Sequence, residues 1–138
     1  MTERQKKALR IAFIAGAIAD GLALLPMLVP QLAQLLWGID GTTGAYRFAM
    51  GYGATLMAAW TVLLVWAARD VVQRRFIAGL TAIAIYGLVA TEIVAVATGV
   101  VPAWRMVPTW ILQAVLVALF ASGYHGWMFA RQRARVAL

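Results

Sequence analysis

The sequence predicts an all-α protein, a four-helix transmembrane bundle of up-down topology with a short interfacial helix after the first span. Three observations predict it. First, 64% of the 138 residues are hydrophobic and the mean hydropathy is +0.83, whereas soluble domains sit near ~45–50% apolar. A soluble chain this small has too little interior to hide so much apolar surface. Second, the apolar residues gather into four stretches, each long enough to cross a hydrocarbon layer of ~30 Å at a rise of about 1.5 Å per residue. Third, the Lys and Arg residues lie outside those stretches. No polar stretch is long enough for a separate soluble domain, so residues 1–138 read as a single integral membrane domain.

The first span covers about 9–29. The basic opening TERQKKALR leads into it, as it would into a signal peptide. The apolar stretch exceeds a signal core and lacks a clear small-residue cleavage site, so an uncleaved span is expected. Pro26 and Pro30 are expected to end or kink it. Residues 31–37 place Leu32, Leu35 and Leu36 apart from Gln31 and Gln34, a pattern suited to a helix lying among headgroups. Gly38, Gly41 and Gly44 mark a turn region, where Asp40 and the GTTG string read as a turn rather than a site. The second span covers about 48–68, and the basic link RDVVQRR follows it. GYG at 51–53 matches a channel-filter string but stands inside a helical run without pore-loop context. The third span covers about 76–101. A link bracketed by Pro102 and Pro108 leads to the fourth, at about 107–130. Both links are short, so consecutive helices are expected to be antiparallel neighbours. Rows of small residues, Ala15, Ala19 and Ala23 in the first span and Gly51, Thr55 and Ala59 in the second, have the spacing that close helix packing uses.

Orientation follows from the distribution of basic residues. Arg4, Lys6, Lys7, Arg10, Arg69, Arg74, Arg75, Arg131, Arg133 and Arg135 fall on one side, and only Arg47 and Arg105 on the other. Both termini are therefore expected in the cytoplasm, in a bacterial inner membrane. Five of the six tryptophans fall near span edges, where the amphipathic indole ring prefers to sit; Trp60 alone lies deep in a span. The net charge is +7. With the cations placed at the membrane edges, it points to anionic lipid headgroups as partners and away from nucleic acid. The chain has no cysteine and one histidine. That excludes disulfides, thiolate chemistry and bis-histidine haem within one chain, and no metal or cofactor is expected.

The stretch RFAMGYGATLMAAWTVLLVWAARDVVQRR at 47–75, together with VPTWILQ at 107–113, resembles small uncharacterised bacterial membrane proteins with four spans. The resemblance covers spans two to four. It implies the fold and brings no activity, ligand or site residue with it.

An ionisable group inside a bilayer costs at least ~2.5–3.5 kcal/mol, so each one needs a reason. Asp20 lies ten residues beyond Arg10 and Glu92 ten before Pro102, which sets both near the midplane, ~15 Å from a boundary. Side chains lean toward the N-terminus of their own helix, so Asp20 on span one and His125 on span four lean toward each other. They form the preferred cross-helix pair, either as a proton or ligand site or as a plain helix-locking contact. For Glu92 the depth-matched donor is the Trp60 indole N–H, with Tyr86, Thr61 and Thr91 as further candidates. Arg47, Tyr52, Arg105 and Gln113, with Tyr46 and Trp104 nearby, cluster at the outer end by depth. They form either a polar vestibule or an ordinary interfacial belt. Three functions are compatible with this pattern. Proton-linked transport or small-ligand handling at the midplane carboxylates comes first. A membrane-embedded enzyme or apolar-ligand binder is the alternative. An accessory or assembly subunit, working as a homo-oligomer or with a partner membrane protein, is the third.

Overall fold

The computed structural model describes the backbone of residues 1–136 and the side chains of residues 1–121. The described chain is helical, without strands. In order, α1 is Glu3–Leu28, α2 is Pro30–Trp37, α3 is Gly44–Arg69, α4 is Phe76–Ala97 and α5 is Ala103–Val136. Four of these, all but α2, are long and apolar enough to cross a membrane.

Helix ends follow local chemistry rather than the apolar boundaries. α1 starts six residues before the apolar stretch because Thr2 and Gln5 form a reciprocal cap. The Gln5 N–H donates to Thr2 Oγ1 at 3.3 Å, and the Thr2 N–H donates to Gln5 Oε1 at 2.9 Å. Pro26 does not end α1. It sits in the last turn, two residues before Leu28, and Pro30 instead opens α2 at a position that needs no N–H. Thr43 caps α3 by accepting from the Tyr46 N–H. α4 stops at Ala97, four residues before the expected end. Gly99 takes φ +74°, and the N–H groups of Gly99 and Val100 turn back onto the carbonyls of Val96 and Ala95. α5 begins at Ala103, ahead of the expected boundary, and runs through Pro108.

The principal packing pairs are α1 with α3, α1 with α5, α4 with α5, and α2 with α1. α1 is thus the central helix, between α3 and α5. The basic link does not make α3 and α4 a principal pair. Each packs mainly on a different helix, against the expectation from loop length. The core lies where α1, α3 and α5 converge with the first turns of α4. Leu9, Phe13, Leu64, Ile77 and Phe120 are fully buried there. The Phe13 and Phe120 rings are tilted, with centroids 5.7 Å apart. Lipid tails are as apolar as leucine, so burial alone does not hold such helices together. Close van der Waals packing and cross-helix hydrogen bonds do. Gly16 permits a close approach of three helices: a Cβ there would meet Leu64 Cδ1 at 3.2 Å and Phe120 Cζ at 3.3 Å. Outside the core the surface is strongly apolar, with Phe48 at 77% and Ile83 at 69% exposed. Such a surface suits a hydrocarbon solvent.

Candidate functional site

α4 and α5 bring together the one cross-helix side-chain hydrogen bond between described residues of the spans. Gln113 Nε2 donates to Glu92 Oε1 at 2.9 Å. Trp110, Gln113 and Val117 share one face of α5 by their three- and four-residue spacing, and Ile85, Val89 and Glu92 share one face of α4. The hairpin closed by Gly99 turns these faces toward each other. Glu92 is half-buried and Gln113 buried.

One hydrogen bond does not satisfy this cluster. Glu92 Oε2, Gln113 Oε1 and Trp110 Nε1 are all buried without a hydrogen-bond partner. The Trp110 indole N–H is close enough to act electrostatically on the Glu92 carboxyl, yet it makes no well-aligned bond to it. Unmet polar atoms in an apolar surrounding are costly. Beside them runs a groove of about 430 Å³, lined by Ile85, Tyr86, Val89, Trp110, Gln113 and Val117 among others. That is within the ~300–1,000 Å³ range of small-ligand pockets, which typically combine apolar walls with a few placed polar groups. Trp110 and Gln113 line this groove, and Glu92 meets it through its hydrogen bond with Gln113. A carboxyl is also present to exchange a proton.

The other expected residues lie elsewhere. Trp60 is not the partner of Glu92; its Nε1 is buried without a hydrogen bond and its ring packs on the edge of the core. Thr61 and Thr91 donate to carbonyls of their own helices, those of Met57 and Gly87. Tyr86 lines the groove with its ring largely exposed. Asp20 is half-buried on α1, does not line the groove, and its carboxyl accepts no hydrogen bond among the described side chains. The side chain of His125 lies outside the described residues, and so does the Asp20–His125 pair. The outer four do not assemble into one vestibule. Arg47 and Tyr52 are exposed on α3, Gln113 belongs with Glu92, and Arg105 donates to the carbonyls of Gln34 and Leu35 at 3.0 and 3.3 Å. Asp40 is in a turn: Oδ1 accepts from the Thr42 hydroxyl at 2.7 Å and its N–H at 3.0 Å, and these bonds hold the carboxyl below the usual aspartate range.

Sequence reasoning assigned Gln113 to the outer edge and missed it as the partner of Glu92. A signal was present. Glu92 and Gln113 lie ten and eleven residues on either side of Pro102, so an antiparallel hairpin turning at that proline sets them level. No protein-family model matches the chain, and neither a curated protein nor a solved structure gives a significant match.

Proposed function

We propose that this is a small bacterial inner-membrane protein that handles a small, largely apolar ligand at the Glu92–Gln113 site, with Glu92 linking binding to proton movement. The observation that carries the reading is the set of three unmet polar atoms, Glu92 Oε2, Gln113 Oε1 and Trp110 Nε1, beside an apolar groove. A ligand with a positive charge or hydrogen-bond donor on an apolar body complements the two acceptors, Glu92 Oε2 and Gln113 Oε1, and the ring face of Trp110, because aromatic faces and a carboxyl both attract cations. In this reading the four long helices alternate in direction, both termini are cytoplasmic, and α2 lies in the outer headgroup layer. The meeting of the basic first turn of α1 with Arg69 at one end of the bundle supports that orientation.

The reading is tested with a lipophilic cation, tetraphenylphosphonium, on protein in neutral detergent. Saturable binding accompanied by proton release is expected, with both lost in Glu92→Gln. Unchanged binding and proton release in Glu92→Gln would reduce Glu92 to a packing residue. Cation binding without any proton release would favour the apolar-ligand binder. A second reading, assembly with another copy or a partner helix, is favoured by one feature. Gly51, Thr55 and Ala59 form a row of small residues on α3, Thr55 and Ala59 are exposed, and nothing lies within 4 Å of a Cβ built at Gly51.

A further inference from the structure

At the opposite end from the α4–α5 turn, a second groove of about 560 Å³ runs between the first turns of α1 and the end of α3 with its link. Lys7, Arg10 and Arg69 line it together with Ile11, Ile14 and Val72. Its other charges are Lys6, Glu3 and Asp70. Lys6 and Glu3 neutralise each other at 2.6 Å, and Asp70 Oδ1 accepts the Gln73 N–H at 3.2 Å. Lys7, Arg10 and Arg69 form no ion pair among the described residues, which leaves the groove with an excess of positive charge.

The placement of the apolar lining gives this charge a direction. Lys7, Arg10, Ile11, Ile14 and Ile18 follow one another along a single face of α1, away from the core face of Leu9, Phe13 and Gly16. The three isoleucines are exposed, at 49%, 47% and 58%. The face therefore passes from two cations, with Arg69 of α3 beside them, to a continuous apolar strip, and Lys7, Arg10, Ile11 and Ile14 border the same groove. A free phosphate would use only the first part. An anionic glycerophospholipid uses both, its phosphate among the cations and its acyl chains along the isoleucines.

We propose that this groove is a binding site for an anionic glycerophospholipid of the bilayer, independent of the Glu92 site. The test uses the full chain in neutral detergent, titrated with short-chain phosphatidylglycerol, the matching phosphatidylcholine and inorganic phosphate. Phosphatidylglycerol is expected to bind saturably, at least about tenfold more tightly than the other two, since each cation near an anionic headgroup contributes about fivefold. Arg10→Gln with Arg69→Gln should weaken it at least about tenfold. Arg47→Gln with Arg105→Gln removes the same charge at the opposite end of the bundle and should change it less than about twofold. Equal binding of phosphatidylcholine, or equal weakening by both pairs, overturns the proposal in favour of unspecific attraction. Phosphate binding as tightly as the lipid overturns the lipid assignment. Should the first pair not fold, Lys7→Gln carries the test: about fivefold weaker phosphatidylglycerol binding supports the site, and unchanged binding overturns it.

Discussion

Gly16 shows how little room the centre of the protein leaves. It lies on α1 between Leu64 of α3 and Phe120 of α5, so any side chain there pushes two helices away at once. Gly16→Val is expected to destabilise the fold by about 1–3 kcal/mol, the usual cost of overpacking. Gly51→Ala, with nothing near its Cβ, should stay within about 1 kcal/mol of the parent or exceed it, since alanine is the better helix former. Denaturation in mixed micelles measures both, and equal effects would contradict the packing described. Glu92 was legible in the sequence as a carboxyl inside an apolar span that needed a partner. The partner was not, because depth alone does not say which helix stands alongside. Trp60 matches Glu92 in depth but sits on α3, which packs mainly on α1, whereas Gln113 sits on α5, directly against α4.

Helix ends are set by local signals that the apolar boundaries pass over, so that α1 begins six residues before the expected span and α4 stops four residues short of it. The Thr2–Gln5 cap, the left-handed Gly99 and Pro30 at the start of α2 all act within one turn of chain. The position of α2 rests on a contact 70 residues away in sequence. Arg105 Nη1 donates to the last carbonyls of α2, and its guanidinium stands 5.0 Å from the centroid of Trp104. Gly38, at φ +74°, ends α2 beneath that guanidinium; a Cβ there would meet Nη1 at 2.8 Å. Arg105→Ala should therefore loosen α2 without unfolding the bundle. The loss of charge-assisted bonds at an exposed site is worth about 1 kcal/mol, which corresponds to roughly fivefold faster amide exchange in α2. Gly38→Ala should act in the same direction, through both the positive φ and the clash. If exchange in α2 is unchanged in both variants while α3 loosens, Arg105 does not latch this helix.

Across the molecule, the proposed orientation has a direct readout, because the chain has no cysteine of its own. Cysteine introduced at Thr2 or Gln73 should react with an impermeant maleimide only from the cytoplasmic side, and cysteine at Thr42 only from the other. Reaction of Thr2 and Thr42 positions from the same side would require a different topology, and the depth assigned to Glu92 would go with it. Amount and position of apolar sequence determine by themselves that this chain makes four long apolar helices, since each requires only a run of residues and the rise per residue. Short-range chemistry at Thr2, Pro30 and Gly99 determines where they begin and stop. Which helix touches which is a matter of surfaces that meet across long stretches of sequence. α1 takes the centre because Ala12, Gly16 and Ala17 let two helices approach it. That placement separates Glu92 from Trp60 and sets it against Gln113, because in a lipid solvent it is the fit of helix faces, not their hydrophobicity, that selects neighbours.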